Sequence, residues 1–572
     1  MTYAPPIKDM QFTLDQVIGA GRLSETDLFA EATADVAEAI LLEAGKLASD
    51  KLAEINRSGD LHPARLENGV VRTSPGFADA YQAIAEGGWV GIAADPEFGG
   101  MGLPLTLTSA VGEMMNSACL SLALNPLMSQ GQIEALEHHA SEEIKALYLP
   151  KLISGEWTGT MNLTEPQAGS DVGALRSKAE PQGDGTYKVT GQKIYISWGD
   201  HDVAENICHL VLARLPDGVP GTKGISLFLV PKFIPTEDGK PGVANSLKPI
   251  SLEHKLGLHG SPTAVMEFDG ATGWMVGPEH GGMAAMFTMM NNARLGVGVQ
   301  GLGIAEAAYQ KALAYALDRT QGKGMVQDTG TILDHADVRR MLLQMKALTR
   351  SARAICLDTA FSLDMARATE GDESAKWKAR GAFLTPIAKA FGTDVGSEVA
   401  DLGIQVHGGM GFVEETGAAQ FARDVRVTRI YEGTNGIQAM DMVGRKLMDG
   451  GAAAEALLGE IEATAKDAQA KHPRMADVLQ DVGETLSDTL DWMVKAEPND
   501  RFAGSVPFLR AFALVLGGHY LLRGAMVGGD EDRIALARFH IRQVMPAAIG
   551  LCAAATEGAA PLYALDADQL AS

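Results

Sequence analysis

The sequence predicts an α+β multidomain protein whose parts follow the order helical, β, helical and helical. Two observations carry that prediction. Apolar residues recur at helical spacing along most of the chain. Between about residues 160 and 272 they give way to short runs of β-branched and aromatic residues separated by Gly, Pro and Asp. At 572 residues there is length for several packed units, each with its own core.

An N-terminal arm (1–35) leads into a helical domain (36–159). Helical patterns at 31–49 and 107–124 exemplify it, and the turn cluster Asp95-Pro96-Glu97-Phe98-Gly99-Gly100-Met101-Gly102 interrupts it. A middle β domain (160–280) has strands predicted over 187–190, 193–197 and 225–230, with hairpin connections at 216–221 and 236–242. A helical bundle (281–448) follows, with Ala and Met on its apolar stripes and a loop expected at the acidic stretch 370–374. Met448-Asp449-Gly450-Gly451 marks the last boundary, beyond which an Ala-rich, mildly acidic helical domain (449–572) is expected.

The hydrophobic fraction of 46%, the charged fraction of 21% and the net charge of −24 describe a soluble globular chain with an acidic surface. Binding to nucleic acid or an anionic membrane rests on Lys and Arg, so neither is expected as a partner. Cys119, Cys208, Cys356 and Cys552 form no CxxC pair, which argues against a disulfide framework or a zinc ribbon and predicts no metal site. The start Met1-Thr2-Tyr3-Ala4-Pro5-Pro6 lacks the basic and apolar regions of a signal peptide. The apolar stretch near 508–522 contains Arg510 and His519, and reads as too short and too charged to span a bilayer. A buried helix and a cytoplasmic protein are expected.

Gly296-Val297-Gly298-Val299-Gln300-Gly301 fits G-x-G-x-x-G. A dinucleotide fingerprint needs a strand before it, whereas 283–295 is helical in pattern, so small residues allowing close helix packing are the better reading.

The informative segment is Asn162-Leu163-Thr164-Glu165-Pro166-Gln167-Ala168-Gly169-Ser170-Asp171-Val172-Gly173. Hydroxyls, glycines and free backbone amides gather there, as suits hydrogen bonding to a flat heteroaromatic ring. A second segment runs from Gln405-Val406-His407-Gly408-Gly409-Met410-Gly411-Phe412 through Asp424 to Arg429-Ile430-Tyr431-Glu432-Gly433-Thr434-Asn435-Gly436-Ile437-Gln438. Together with Gly88-Trp89, Lys193-Ile194-Tyr195-Ile196-Ser197 and Gly277-Pro278-Glu279, these segments resemble the signatures of the acyl-CoA dehydrogenase family, in family order over roughly residues 80 to 445.

That resemblance implies the acyl-CoA dehydrogenase fold with an extra C-terminal helical domain. It also implies an FAD enzyme that dehydrogenates the α and β carbons of a short acyl-CoA thioester. Glu432 matches the family's base, taking the α proton while the β hydride goes to flavin N5; burial should raise its pKa toward neutral. Members that carry the base on the long helix place it just before the position of Arg294, where this chain has Ala293. On the cofactor side the resemblance implies Thr164, Gly169, Ser170, Tyr195 and Ser197 along the flavin, with Thr434 near the adenine. Arg319, Gln405, Gly408 and Gly409 would reach a neighbouring subunit's FAD, Arg319 offering paired donors to its pyrophosphate. Ser170, Arg294 and Gly433 fall on the substrate side, Arg294 toward the coenzyme A portion. A homodimer or dimer of dimers, and an electron-transfer flavoprotein as acceptor, follow from the same resemblance.

Within the family, the extra domain, the N-terminal start and Glu253-His254-Lys255-Leu256-Gly257-Leu258-His259-Gly260-Ser261-Pro262-Thr263 most resemble a subgroup that oxidises the 3-methylthio derivative of propionyl-CoA. Straight-chain esters such as butyryl-CoA compete for the assignment. An acyl-CoA oxidase would share the base and flavin. A DNA-associated flavoprotein would share the appended domain but need a basic face there.

Overall fold

The computed structural model describes residues 3–572; Met1 and Thr2, part of the start used above, lie outside the described residues. The N-terminal helical part includes α1 (Ala34–Leu47), α2 (Phe77–Glu86), α3 (Leu105–His139) and α4 (Glu142–Ile153). Local chemistry sets the helix starts. The Thr33 and Ser141 hydroxyls accept the Val36 and Ile144 amides, which satisfies a free donor in each first turn.

The pattern read as one helix over 107–124 is broken at Cys119, which takes φ −157°, ψ 87° inside α3. The break folds α3 back on itself against the long helix α5 (Gly282–Asp318). Its first limb sets Gly112 against Val299, and its second sets Leu127 against Gly296 and Gly131 against Met289. Helical periodicity alone does not show such a reversal, because both limbs keep the same spacing.

The middle part is a seven-stranded sheet: β1 (Trp157–Asn162), β2 (Lys178–Pro181), β3 (Tyr187–Ser197), β4 (Asn206–Arg214), β5 (Ile225–Pro231), β6 (Leu247–Leu252) and β7 (Thr263–Val276). The hydrogen-bonded order is β6-β7-β3-β2-β4-β1, and β5 pairs with both β7 and β4, so the sheet curls into a small barrel. Val189, Ile196, Val211, Phe228, Met266 and Phe268 fill it. The runs at 187–190 and 193–197 are one strand, β3, and both predicted hairpin loops join antiparallel strands.

The bundle is built from α5, α6 (Ala336–Ala368), α7 (Gly371–His407), α8 (Ala418–Val425) and α9 (Asn435–Gly444). The loop expected at 370–374 shrinks to Thr369 and Glu370. Helix α7 begins at Gly371, with Asp372 and Glu373 in its first turn. Carboxylates are stabilised there by the helix dipole, so a cluster read as loop-like is a helix start. The small residues of the G-x-G-x-x-G match lie mid-helix and let α7 approach. A Cβ on Gly298 would come within 2.6 Å of the Ala388 carbonyl oxygen, and one on Gly301 within 2.3 Å of that of Gly392.

The last part comprises α10 (Ala452–Ala468), α11 (Pro473–Lys495), α12 (Ser505–Met526), α13 (Glu531–Phe539) and α14 (Ala547–Ala555). Helix α12, at 22 residues, is long and apolar enough to cross a membrane, which corrects the reading that it is too short. Its most apolar window is 78% buried, with Phe512 edge-to-face on Phe383 of α7 at 5.1 Å. Arg510, the charge expected to interrupt it, pairs with Glu398 at 2.7 Å. The N-terminal arm is packed rather than free: Met10, Leu14 and Val17 are buried. Asp9 pairs with Arg353 (2.7 Å), Arg350 (2.9 Å) and Arg533 (3.1 Å). Arg353, 1% exposed, also pairs with Glu113 of α3 (2.6 Å) and Glu306 of α5 (2.7 Å), so one ionic cluster ties the arm, both helical units and the last domain together.

Candidate active site

The loop after β1 is held by a buried ion pair. Glu165 accepts hydrogen bonds from the Lys193 ammonium (2.8 Å), the Ser177 hydroxyl (2.6 Å) and the amides of Arg176 (2.7 Å) and Ser177 (3.0 Å). Burial alone would raise the Glu165 pKa, but Lys193 and these donors outweigh it and hold the carboxyl down at about 2. Burial pulls Lys193 down to about 8 against the pull of Glu165, so the pair is ionised at neutral pH. The Ile194 amide donates to the Thr164 carbonyl (3.0 Å), which sets the loop beside the end of β3.

There β3 carries a bulge against β7, and Tyr195 takes φ +61° in the left-handed region. Tyr195 is 61% exposed, Ser197 and Thr164 are half-buried, and Gly169 and Ser170 of the same loop as Thr164 are exposed. A large aromatic held at positive φ and turned to solvent is costly in a strand unless something covers it. The open backbone at Gly169, where a Cβ would meet nothing within 4 Å, leaves room for a flat ring beside it. These residues fit a flavin.

Glu432 lies in the bundle, between the end of the short helical turn before it and α9. It adopts φ +56° and is followed by Gly433 at +80°. Its Oε2 is buried without a hydrogen-bond partner. Burial raises its pKa to about 7, with Arg294 and then Lys389 pulling the other way. The turn is held by Gln438, whose amide donates to the Glu432 carbonyl (3.1 Å), and by Lys389, whose ammonium donates to the Gly433 carbonyl (2.8 Å). The preceding Tyr431 hydroxyl donates to Gln300 of α5. Thr434 caps α9, its hydroxyl accepting the Ile437 amide at 3.3 Å.

Arg294 is 6% exposed, with Nη1 3.5 Å from Asp441. Its Nε has no partner. The structure thus brings Arg294 toward Glu432 rather than to the surface. A cavity of about 50 Å³ lined by Trp89, Asn116, Leu127, Gln130, Asn292 and Val299 lies on another flank of α5 and does not include Glu432.

Arg319, Gln405, Gly408 and Gly409 are exposed at the far ends of α5 and α7, which Tyr315 stacked on His407 (4.4 Å) holds together. They are remote from Glu432: at 1.5 Å per residue, Arg319 lies roughly 28 Å along α5 from Gln300. Phe412 (91% exposed), Met325 (99%) and Val326 (95%) flank them in sequence. Sequence reasoning passed over Lys389, Gln438, Gln300 and Asp441. A lone lysine within the apolar run Ile387-Ala388-Lys389-Ala390-Phe391 was the signal for the first.

Four stretches match family profiles. These are the acyl-CoA dehydrogenase N-terminal domain (61–156), middle domain (160–271) and C-terminal domain (280–448), and an acetyl-CoA dehydrogenase C-terminal-like domain (457–566). The chain is 44% identical to a 3-methylmercaptopropionyl-CoA dehydrogenase of Ruegeria pomeroyi, over 95% of this chain and 96% of that protein. It is 34% identical to a butyryl-CoA dehydrogenase of Syntrophomonas wolfei, over 96% of each. Its fold is that of an acyl-CoA dehydrogenase complexed with FAD from Bacillus anthracis, with TM-score 0.74 and 20% identity over 98% of this chain and 93% of the other.

Proposed function

The chain belongs to the acyl-CoA dehydrogenase family, and from that premise we propose that it oxidises 3-methylmercaptopropionyl-CoA to methylthioacryloyl-CoA with Glu432 as base. It is an FAD-dependent oxidoreductase acting on acyl-CoA. The observation that carries the assignment of the base is the buried, unpartnered Oε2 of Glu432, with a pKa raised to about 7. A carboxylate in water is far too weak to take the α proton of a thioester. One stripped of solvent and poised near neutrality is a better base, and keeps a substantial ionised fraction at neutral pH.

Thr164, Gly169, Ser170, Tyr195 and Ser197 would hold the flavin, and FAD when bound supplies the acceptor for the β hydride, which no side chain can. Glu432 takes the α proton onto its free oxygen. Gln438 and Lys389 keep the turn that aims it. Gly433 and Ser170 would contact the substrate, and the free Nε of Arg294 offers a donor to its coenzyme A portion. The near-full-length similarity to the Ruegeria pomeroyi protein supports the sulfur-bearing substrate. The Syntrophomonas wolfei relative supports butyryl-CoA as the second reading.

A second copy of the chain would complete the cofactor site. Arg319, Gln405, Gly408 and Gly409 face solvent far from their own Glu432, and the apolar Phe412, Met325 and Val326 near them in sequence suit a subunit contact. A homodimer or dimer of dimers follows, and Thr434 would lie near the adenine. The electrons leave to an electron-transfer flavoprotein, the acceptor that the family resemblance implies.

The test is an anaerobic visible spectrum of the purified protein before and after 3-methylmercaptopropionyl-CoA, with butyryl-CoA in parallel. Fastest bleaching by the sulfur ester is expected, whereas bleaching by butyryl-CoA alone would replace the substrate. Glu432→Gln should keep FAD and lose reduction, with wild-type reduction rising as pH passes through about 7. Fast reduction in that variant would remove Glu432 as the base. Rapid reoxidation by oxygen would make the enzyme an oxidase.

A further inference from the structure

Lys389 is wholly buried in the middle of α7, within a run of apolar side chains. A buried ammonium is expensive unless nearby groups compensate it. Its two hydrogen-bond acceptors are both uncharged: the Gly433 carbonyl at 2.8 Å and the Asn435 side-chain oxygen at 2.9 Å. Asn435 is itself fixed to α7, donating to the Ala390 carbonyl (3.2 Å) and to Asp394 (2.9 Å). The lysine therefore grips the Glu432–Gly433 turn at Gly433 and at the start of α9, and the two turn residues sit at φ +56° and +80°. Such a conformation is strained for a non-glycine residue and persists only where the surroundings over-determine it.

We propose that Lys389 is a positioning residue for the reaction: its ammonium clamps the left-handed Glu432–Gly433 turn and holds the base ionised in its dry setting. The proposal rests on Glu432 being the base. Glu432 is the first of the anions that hold a proton on Lys389, followed by Asp394, while Arg294 and Arg429 oppose it. The other charges around the site are already engaged. Arg429 pairs with Asp394 at 2.7 Å, and Asp441 of α9 takes Arg294 at 3.5 Å and Arg445 at 2.5 Å. Burial, the largest influence, brings the ammonium down to about 7, the same range to which burial brings Glu432. Each charge also favours the charged form of the other, so their protons are coupled and the ammonium favours the ionised base.

The experiment is anaerobic stopped-flow reduction of the FAD-loaded enzyme by 3-methylmercaptopropionyl-CoA and by butyryl-CoA, from pH 6 to 9. It compares wild type, Lys389→Met, Lys389→Arg and Glu432→Gln. In Lys389→Met the acid limb should move up by about one pH unit, which lowers the rate at pH 7 about fivefold and largely restores it at pH 9. Lys389→Arg, which keeps the charge, should return the limb toward wild type. Lys389→Gln, a milder change that keeps a donor for the Gly433 carbonyl, carries the same comparison if the methionine variant does not fold. An unmoved limb in the neutral variants, with Glu432→Gln inactive, would overturn the role of Lys389 and leave the base intact. An active Glu432→Gln would instead sink the reading beneath it.

Discussion

Glu165→Gln is a sharp test of how the flavin-side loop is built. The carboxylate is 4% exposed and shares its charge with Lys193, which is fully buried. A carboxyl brought from the ordinary 4.5 to about 2 is held by about 3 kcal/mol more in its ionised than in its neutral form. The glutamine keeps most of the shape but leaves Lys193 without its counter-ion, and breaking a buried pair in this way typically costs about 3–5 kcal/mol. The Thr164 carbonyl and the Tyr195 bulge are fixed through the same strand, so part of that cost should appear in cofactor binding. If it appeared there in full, 3 kcal/mol would weaken FAD binding about 150-fold.

The sign with pH follows from the lowered carboxyl: the stabilisation is present above about 4.5 and is lost as pH falls toward 2. FAD titration of the apoprotein measures the first effect and thermal unfolding of the apoprotein the second. Glu165→Gln/Lys193→Met, which removes both charges, should recover part of the loss. A single variant with wild-type FAD affinity and an unchanged melting temperature would refute the claim that this pair builds the loop.

Two further outcomes are expected. Arg319→Ala should lose FAD on gel filtration while the FAD that remains is still reduced by substrate; a stable, fully loaded variant would remove Arg319 from the site. Arg353→Met should lower stability by about 3–5 kcal/mol, because it strands the buried Glu113 and Glu306 together, while Asp9 keeps Arg350 and Arg533. Chemical denaturation reads that loss, and an unchanged midpoint would show that the ionic cluster does not bind the arm to the bundle.

Much of the site was legible because its parts are local in sequence. The loop 162–173 and the segment 429–438 are contiguous, so residue types suggested a ring-binding loop in the first and the family resemblance pointed to a base in the second. The alternation of helical and β patterns likewise reports which face of each segment is buried, a local property. The acidic run at 370–374 misled for the same reason. Carboxylates favour a loop and a helix N-terminus alike, and only the packing of α7 against α5 and α6 selects the second. The reversal of α3 at Cys119 was equally hidden, since both limbs repeat at the same period.

The sequence by itself determined the order of the domains and carried the segments from which the flavin-side loop and the base are proposed, since each is written in consecutive residues. Only the tertiary structure decided what surrounds that base. Lys389 and Arg294 reach Glu432 from different helices, far away in the chain, and the burial that raises its pKa belongs to the assembled core. Desolvation and long-range charge depend on what the fold brings close in space, and no stretch of consecutive residues contains them.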